Sequence, residues 1–417
     1  MENRPVPVVI GAGAAGLVAA IFAARGPSTP LRTRPRRVVV IECTADGGRK
    51  ILISGGGRCN VLPASLQPER FVTSSPSHLL RSLLRSFPLH EQSAFFQDDV
   101  GIPLALEAET QKYFPVSNRA RDVRDGLMAL GRSVGVEFRF ETSLADLRPT
   151  ADGWHVVTNR GTIEAGAVVL ATGGLSVPKT GSDGAGLHIA AALGHVVHPT
   201  YPALTPLVLD PPAYAGLAGV SLDVRIRARW GGETAEAEGG FLFTHRGYSG
   251  PAVLDISHVP VRSRLAGADR AALRVSWSRR TAEEWRADLA GAGGQVRTVV
   301  SRQLPQRLAD RLVADAGLAP DKSASQLSRA ERTRLIDTLT AFELPWSGDE
   351  GYAKAEVTGG GVALDEVDRR TLESRRCPGL FLCGELLDTF GPIGGHNFAW
   401  AWATGRLAGL GAFGTAP

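Results

Sequence analysis

One stretch close to the N-terminus constrains the fold of this chain more than any other feature. A short β-branched run enters a glycine-rich turn, and an alanine-rich helix former follows: Val8-Val9-Ile10-Gly11-Ala12-Gly13-Ala14-Ala15-Gly16-Leu17. The G-x-G-x-x-G spacing predicts the strand–turn–helix of a dinucleotide-binding βαβ unit. Gly11 permits the tight turn, Gly13 lets the backbone approach a pyrophosphate, and Gly16 lets the helix lie close to the strand. The helix N-terminus then offers N–H groups and a positive dipole end to the phosphates.

The second half of the unit supports this interpretation, because a glycine turn alone can also serve packing. Residues 37–42, Arg-Val-Val-Val-Ile-Glu, predict the next strand, and Glu42 at its end can accept hydrogen bonds from a ribose. A proline-containing loop at residues 26–35 lengthens the usual spacing between the third glycine and the acidic residue.

Bulk composition narrows the class of protein. At 417 residues the chain has room for about two to three domains, and 43% hydrophobic with 21% charged residues is typical of a soluble globular protein. A net charge of +4, without a dense basic stripe, gives no reason to expect nucleic acid as a partner. Four widely spaced cysteines show neither zinc spacing nor a disulfide framework, which favours a cytoplasmic protein without a metal site. The uncharged run 6–24 is long enough for a membrane span, but its three glycines and one proline fit the nucleotide-binding unit instead.

A second glycine-rich segment follows the predicted strand. Residues 46–60, DGGRKILISGGGRCN, hold five glycines and the cations Arg49, Lys50 and Arg58. The backbone amides of such a loop can form an anion nest around a diphosphate, while the cations offset its charge. A flexible surface loop is the alternative, but the apolar run 51–53 argues against it because a core would hold these side chains.

Seven motifs together resemble one family of bacterial flavoproteins. They are GAGAAG (11–16), GRKILISGGGRCNV (48–61), YFPVSNRARDV (113–123), LATGGLSVPKTGSDGAG (170–186), FTHRGYSGPAVL (243–254), EVTGGGVALDEVDRRTLESR (356–375) and GLFLCGELLDTFGPIGGHNFAWAWATG (379–405). With these residues the chain is similar to the BaiN-like FAD-dependent oxidoreductases, a family that includes aminoacetone oxidase and a bile-acid reductase. The resemblance spans nearly the whole chain and implies that FAD is the cofactor.

The order of the predicted elements indicates an α/β fold, in which a Rossmann-type FAD-binding domain is interrupted by a β-rich insert and a small helical domain. Before the insert, helices are predicted over 78–96 and 119–133, and strands over 136–140, 153–158, 162–165 and from 167 into the glycine turn at 173–174. Strand-like segments at 204–209, 221–230, 234–244, 252–257 and 273–277 form the insert, and helical segments follow at 282–289, 296–304, 307–316 and 327–344. The predicted domains are FAD-binding at 1–198 and 357–417, β-rich at 199–278 with a return strand at 346–356, and helical at 279–345.

The segment 394–405, GGHNFAWAWATG, predicts a second glycine turn that begins a helix. The N-terminus of that helix presents amides and a positive dipole end, which stabilises negative charge on a reduced flavin. A packing helix in which Phe398 and Trp402 stack is the alternative, and the two roles are compatible. His396 stands where the family commonly has tyrosine, and residues 389–393 also depart from the family pattern. We therefore do not transfer a substrate from the resemblance.

The expected cofactor contacts combine the glycine motifs, the strand ends and the resemblance, which implies backbone near Leu144 at the adenine and residues 394–398 at the isoalloxazine ring. The predicted set is Gly11, Gly13, Ala14, Ala15, Gly16, Glu42, Arg49, Lys50, Ser54, Gly55, Gly56, Gly57, Arg58, Cys59, Asn60, Leu144, Ala171, Thr172, Gly173, Gly384, Glu385, Gly394, Gly395, Asn397 and Phe398. For the turn at 171–173, an ordinary strand-end turn is an equal alternative.

Two residues of the insert are candidates for acid–base catalysis. His245 and Tyr248 lie in FTHRGYSG, and both side chains can transfer protons. A structural role is the alternative for each. Flavin enzymes ask little more of the protein than positioning, electronic tuning and proton transfer.

Three functions remain open from the sequence. The first is an FAD oxidoreductase acting on a small organic substrate, either an amine oxidase that uses O2 or an NAD(P)H-linked reductase of a conjugated ketone. The second is a dithiol–disulfide reductase, which the sequence disfavours because the position five residues after Cys59 is Ala64. The third is a non-catalytic flavin- or nucleotide-binding scaffold with a link to RNA. No second G-x-G-x-x-G follows a later strand, so NAD(P)H would dock transiently beside the flavin. The oligomeric state stays open.

Overall fold

The structure is a computed structural model that describes residues 6–27, 36–267, 269–291 and 293–415. Most of the predicted loop 26–35 lies outside the described residues. The helices are α1 Ala14–Arg25, α2 Arg49–Ile53, α3 Ser77–Arg85, α4 Leu89–Ala94, α5 Ala120–Ser133, α6 Ala185–Ala192, α7 Pro251–Ile256, α8 His258–Leu265, α9 Ala282–Gly291, α10 Val296–Ser301, α11 Gln306–Asp315, α12 Arg329–Thr340 and α13 His396–Thr415.

The strands alternate with these helices in the first and last parts of the chain and dominate the middle. They are β1 Val6–Ile10, β2 Val38–Ile41, β3 Leu62–Pro63, β4 Leu104–Glu107, β5 Lys112–Pro115, β6 Val136–Arg139, β7 Leu144–Thr150, β8 Gly153–Thr158, β9 Gly161–Leu170, β10 Val197–Ala203, β11 Leu207–Val208, β12 Ser221–Trp230, β13 Glu233–Phe243, β14 Gly247–Ser249, β15 Ala272–Ser276, β16 Phe342–Glu343, β17 Gly348–Asp349, β18 Val357–Val362 and β19 Leu380–Leu382.

The chain forms two units, one of residues 1–200 with 357–417 and one of residues 201–356. These boundaries lie within two residues of the predicted interruption of the α/β domain. The predicted β-rich and helical parts are not separate, because one hydrophobic cluster runs through the sheet strands and the helices α9–α12.

The first unit contains a sheet in the order β6-β2-β1-β9, extended by β19 beside β9. All of these neighbours are parallel, which is the strand order of a Rossmann half. The apolar runs at 38–41 and 380–382 are fully buried, as strands covered on both faces require. Strands β7 and β8 continue from β9 as an antiparallel meander. In such sheets ligands bind beyond the carboxyl ends of the strands, which is where the glycine turns lie.

Helices α1 and α13 pack closely against each other over this sheet. A Cβ on Gly405 would lie 2.4 Å from the carbonyl oxygen of Ala15, and one on Gly409 would lie 2.3 Å from that of Ala19. Only glycine allows the two backbones to approach this far. The uncharged run 6–24 is thus β1 and α1, and among the described residues no helix is long and apolar enough to cross a membrane.

The second unit is built on an antiparallel sheet in the order β16-β15-β12-β13-β14-β11-β17. Along β12 the buried residues Val224, Ile226 and Ala228 alternate with exposed arginines, as the sequence pattern predicted. The return segment 346–356 contributes β17, which pairs with β11.

Four predicted elements differ from the structure, and one of them is the helix predicted over 327–344, which ends at Thr340 and is followed by β16. The segment 252–257 was predicted as a strand but forms α7, because Pro251 stands at the first helical position after Gly250. The predicted helix 78–96 is divided between α3 and α4, since Pro88 cannot continue a helix. The predicted strand 204–209 shrinks to the two residues of β11.

Candidate cofactor and active site

The three glycines of the turn between β1 and α1 differ in the space that a side chain would have. A Cβ on Gly11 would lie 2.5 Å from the carbonyl oxygen of Ala171, and one on Gly16 would lie 1.9 Å from that of Gly11. A Cβ on Gly13 would meet nothing within 4 Å. Two glycines therefore close the turn, and the third leaves its face of the backbone open at the N-terminus of α1.

Glu42, at the end of β2, connects this turn to the next loop. Its Oε2 accepts the N–H of Ala12 at 2.8 Å, and its Oε1 accepts the N–H and the hydroxyl of Thr44 at 2.9 and 2.7 Å. The carbonyl of Glu42 accepts the N–H of Thr142 at 2.8 Å, so the segment leading into Leu144 reaches the same end of the sheet. The predicted ribose-binding residue and the predicted adenine-side segment are thus neighbours.

The polar side chains of the loop 46–60 make hydrogen bonds both within the loop and to the rest of the protein. Arg49 bonds Asp46 at 2.7 Å, and the hydroxyl of Ser54 donates to the carbonyl of Ile51. Arg58 bonds Glu107 at 2.8 Å and lies 3.9 Å from the ring centre of Phe114, so its guanidinium is engaged by the β4–β5 hairpin. Its predicted role in offsetting phosphate charge stays a prediction.

Gly56 and Gly57 of this loop are open, and its cysteine is buried. Gly55, Gly56 and Gly57 all have positive φ, and a Cβ on Gly56 would meet nothing within 4 Å. Cys59 is fully buried, and this burial raises the pKa of its thiol to about 12. A neutral, inaccessible thiol suits packing and agrees with setting aside a dithiol mechanism.

Two further predicted turns meet the first one. The N–H of Ala171 donates to the carbonyl of Ile10, and Thr172 and Gly173 continue from there. A Cβ on Gly384 would lie 2.7 Å from the Cβ of Ala15, and the Gly384 N–H donates to Thr404 on α13. The structure therefore brings residues 11–16, 171–173 and 384 together.

A network of four side chains joins segments that are distant in sequence. Lys50 Nζ lies 2.6 Å from Ser176 Oγ and 2.7 Å from Glu385 Oε2. Ser176 Oγ donates to Glu385 Oε1 at 2.7 Å, and the same oxygen accepts the N–H of Thr358 at 3.0 Å. The Thr358 hydroxyl in turn accepts the N–H groups of Leu175 and Ser176 at 2.7 and 3.1 Å. The network fixes the loop after β9 against the ends of β18 and β19.

The N-terminus of α13 follows a glycine turn, as the N-terminus of α1 does. A Cβ on Gly395 would lie 2.7 Å from the carbonyl carbon of Leu62, and one on Gly394 would lie 3.0 Å from Lys112 Cε. The Asn397 amide is occupied, because it accepts from the Gly391 N–H at 2.8 Å and donates to the Gly391 carbonyl at 2.9 Å. Phe398 stacks on Trp402 with ring centres 5.2 Å apart. The aromatic face of α13 therefore packs, while its first turn keeps N–H groups without an intrahelical partner.

These features fit a dinucleotide. The N-terminus of α1 has an open glycine for a pyrophosphate and a carboxylate beside it for a ribose. The N-terminus of α13 offers amide donors and a positive dipole end. Open positive-φ glycines lie in the intervening loop. FAD carries a pyrophosphate, a ribose and a flavin ring, and within one unit the described residues supply a partner type for each of these groups.

The two candidate acid–base residues belong to the other unit. His245 is exposed in the turn between β13 and β14. Tyr248 is fully buried among Phe241, Phe243 and Tyr214, and its hydroxyl has no hydrogen-bond partner among the described residues. Burial raises the pKa of Tyr248 far above the usual range. This position gives Tyr248 a packing role, and its acid–base role stays a prediction.

Several residues of the site were not predicted. Ser176 and Thr358 complete the network around Lys50, and Asp388 is a buried carboxylate whose Oδ2 accepts from Thr73, Ser74 and Ser75. Their only sequence signal was proximity to glycine-rich segments, which does not identify a partner.

Known proteins resemble this chain in sequence and in fold. A family model described as the HI0933-like protein Rossmann domain matches residues 6–411. A ribosomal RNA dihydrouridine synthase of Escherichia coli K12 is 34% identical over 401 residues, which are 95% of each chain. A 3-dehydro-bile acid delta(4,6)-reductase of Clostridium scindens is 31% identical over 418 residues, covering 96% of this chain and 97% of that one. Among solved structures, the 3-ketosteroid delta1-dehydrogenase from Sterolibacterium denitrificans aligns with a TM-score of 0.52 at 12% identity, over 99% of this chain and 100% of that one, which indicates a shared fold.

Proposed function

The chain belongs to the HI0933-like family, and from that premise we propose that it reduces a carbon–carbon double bond conjugated to a carbonyl group. The flavoprotein family, the Rossmann-type fold, the enzyme class of oxidoreductase and FAD as cofactor, all predicted from the sequence, are confirmed. The substrate is the part that we propose.

One observation carries the proposal. The names of the two relatives describe the same chemical change, although their substrates differ. Dihydrouridine arises when the 5,6 double bond of uracil, conjugated to a ring carbonyl, is reduced. A delta(4,6)-reductase acting on a 3-dehydro bile acid saturates double bonds conjugated to a ketone. This chain is about equally similar to both relatives. The comparison therefore supports the shared reaction better than it supports either substrate.

The residues of the first unit divide the work of holding the cofactor. The open backbone at Gly13 would receive the pyrophosphate, Glu42 the ribose, and the first turn of α13 the pyrimidine end of the flavin. When bound, FAD supplies hydride exchange with a substrate carbon. The network of Lys50, Ser176, Glu385 and Thr358 keeps one cation in a fixed place and orients the loop after β9.

His245 is the proposed proton donor to the second carbon of the double bond. Its imidazole is exposed, whereas the alternative candidate Tyr248 is enclosed by aromatic rings. We expect His245→Gln to lower kcat by about 100-fold or more while FAD affinity stays unchanged. Arg246→Gln in the same turn is the matched control. Equal kcat in both variants would remove His245 from the mechanism.

Two substrate classes are in competition. A uracil base in ribosomal RNA has the support of the relative in Escherichia coli, and a 3-oxo steroid with conjugated double bonds has that of the relative in Clostridium scindens. The expectation from the net charge of +4 was that nucleic acid is not a partner, and this expectation stays untested. Amine oxidation with O2 is the remaining branch.

An anaerobic half-reaction experiment separates these outcomes. The FAD-loaded protein is reduced with NADPH or NADH, or with dithionite if neither reacts, and is then mixed with unmodified ribosomal RNA transcript or with a 3-oxo-4,6-diene steroid. We expect one of them to restore the absorbance of oxidised flavin and to gain two hydrogens by mass spectrometry. The saturated analogue of each compound is the control.

The opposite result has a clear form. If neither conjugated compound reoxidises the flavin, while an amine such as aminoacetone bleaches it in the absence of NAD(P)H, the protein is an amine oxidase and the proposal fails. A purified protein that binds no FAD would contradict the whole assignment.

A further inference from the structure

His396 is a buried polar residue that the cofactor contacts described so far do not use. It is the first residue of α13, and only 6% of its surface is exposed. Its Nδ1 has no hydrogen-bond partner within the part of the chain that the structure describes. Burying a ring nitrogen without a partner costs free energy, and a ligand that donates a hydrogen bond to Nδ1 would remove this cost.

The position of His396 directs it to the mouth of the helix. Side chains of an α-helix tilt toward its N-terminus, and at the first residue that direction leads off the end of the helix. The contacts agree, because the imidazole meets Phe71 edge-on with ring centres 6.0 Å apart. A Cβ on Gly391, in the loop before the helix, would lie 2.7 Å from the Cβ of His396.

The imidazole is neutral at physiological pH. Burial lowers the pKa of His396 to about 4, and the nearby cations Arg70 and Lys112 act in the same direction. A hydrogen bond to the backbone of Ile393 opposes this shift only in part. The positive end of the α13 dipole acts in the same direction. Since Nδ1 has no hydrogen-bond acceptor beside it among the described residues, we assign Nδ1 as the unprotonated nitrogen. It is therefore a hydrogen-bond acceptor.

Hydrogen-bond donors lie directly beside this acceptor. The first-turn N–H groups of α13 have no carbonyl four residues earlier in the helix. The Asn397 side chain does not compete for a ligand, because both ends of its amide are bonded to Gly391. An acceptor next to donors complements a ligand edge in which an N–H stands next to a carbonyl group.

We infer that His396 Nδ1 accepts the N3–H of a pyrimidine-2,4-dione ring, while the first-turn N–H groups of α13 donate to an adjacent carbonyl oxygen of that ring. The inference rests on the proposed function, and two rings carry this edge. One is the pyrimidine part of the flavin and the other is a uracil substrate. His396 is then a binding residue that selects the imide form of its ligand.

Binding measurements with N3-methylated ligands test this without turnover. In the flavin arm, apoprotein is titrated with FAD and with 3-methyl-FAD by flavin fluorescence. In the substrate arm, FAD-loaded protein is titrated with uridine and with 3-methyluridine by flavin difference absorbance. We expect one arm to favour the N–H form by about tenfold or more, and that arm identifies the ring.

Variants distinguish the hydrogen bond from simple lack of space for a methyl group. His396→Phe keeps the bulk without the nitrogen, so we expect the preference to disappear there, whereas His396→Gln keeps an acceptor and part of the preference. If His396→Phe does not fold, His396→Met replaces it. Equal affinities in both arms of the wild type, or a preference that survives in the Phe or Met variant, would overturn the inference. A protein that binds FAD but shows no preference leaves the proposed function standing, whereas one that binds no flavin removes both.

Discussion

At the scale of single residues, the glycines of the first turn separate folding from cofactor binding. Gly13 is open on the side where a methyl group would project, whereas a methyl group on Gly16 would lie 1.9 Å from the carbonyl oxygen of Gly11. We expect Gly13→Ala to change the free energy of unfolding by no more than about 1 kcal/mol and to weaken FAD binding at least about tenfold. We expect Gly16→Ala to lower stability by about 3 kcal/mol or more, because the backbone must move. Urea unfolding of the apoprotein and FAD titration measure the two effects, and equal behaviour of the two variants would contradict this division.

Glu42 offers a second test at this scale. Both of its carboxylate oxygens accept hydrogen bonds, from Ala12 and from Thr44, so an amide in either orientation places an NH2 group against a donor. We expect Glu42→Gln to destabilise the apoprotein by about 1–3 kcal/mol and to weaken FAD binding. Glu141→Gln, at an exposed carboxylate nearby, should stay within about 0.5 kcal/mol of the wild type. Unfolding and FAD titration of both variants decide, and an unaffected Glu42→Gln protein would contradict the role.

Residue roles were predictable where the backbone itself carries the signal. Gly11 and Gly16 were correctly assigned to turn and packing, because their spacing has one geometric solution. Arg58 and Tyr248 have no such signal. Whether a guanidinium faces a phosphate or a hairpin, and whether a phenol faces a substrate or a core, depends on residues far away in the sequence, such as Glu107 and Phe241.

At the scale of elements, Thr358 holds β18 to the loop after β9. Its hydroxyl is buried and accepts two backbone N–H groups, so removing it leaves both donors without a partner. We expect the isosteric Thr358→Val to cost about 1–3 kcal/mol in unfolding free energy and to perturb the visible spectrum of bound FAD. Thr333→Val, at an exposed position of α12, is the control and should change neither quantity. An unaltered Thr358→Val spectrum with full stability would show that the loop is held by other contacts.

Helix α8 gives the protein a pH dependence of known sign. Burial lowers the pKa of His258 to about 4, against an ordinary value of 6.5, although its Nδ1 bonds the carbonyl of Asp255 and Glu233 lies 3.7 Å from its Nε2, with Arg262 nearby. The unfolded chain therefore binds the proton first as the pH falls. The stability of unit 201–356 should be complete above about pH 6.5 and should decline toward pH 4, by at most about 3 kcal/mol from this group.

The measurement compares unfolding at pH 5 and pH 7.5 in the wild type and in His258→Gln. We expect a smaller difference between the two pH values in the variant, because the titrating imidazole is gone. His245→Gln, at an exposed histidine of the same unit, should keep the dependence of the wild type. An unchanged dependence in His258→Gln would assign it to other groups.

Elements were predicted well where periodicity is long and poorly where it is short. The ten residues of β12 alternate clearly, and they form the strand that was expected. The six residues of α7 offer an apolar run that fits strand and helix equally, and only the proline at its start decides between them. The network around Lys50 joins positions 50, 176, 358 and 385, and no local pattern links such positions.

At the scale of the whole molecule, each unit has a hydrophobic core of its own. The predicted cofactor residues all belong to the unit of residues 1–200 and 357–417. We expect two calorimetric transitions, and FAD should raise the midpoint temperature of only one of them. The free energy of unfolding of that unit should rise by about 2.7 kcal/mol when free FAD is 100 times its Kd. The same titration on Gly13→Ala, whose affinity for FAD is at least about tenfold lower, should stabilise that unit by no more than about 1.4 kcal/mol at the same FAD concentration. A single transition that moves as a whole would show that the units unfold together.

The overall organisation was predictable because the return of an α/β pattern at residue 357 marks an interruption rather than a second domain. What the sequence did not reveal is that helices α9–α12 share their core with the antiparallel sheet. Amphipathic helices show that they have a partner surface but not which surface it is.

The close packing of α1 against α13 has a consequence for biosynthesis. The two helices meet through Gly405 and Gly409 on one side and Ala15 and Ala19 on the other, so nearly the whole length of the polypeptide separates the partners. At about 5–20 residues per second, a ribosome needs roughly 20–80 s to proceed from one helix to the other. During that interval the nascent first helix has an uncovered face, and only one of the two proposed FAD-binding helix N-termini exists. Stable FAD binding should therefore require that α13 has been synthesised, and a product truncated before α13 should be colourless.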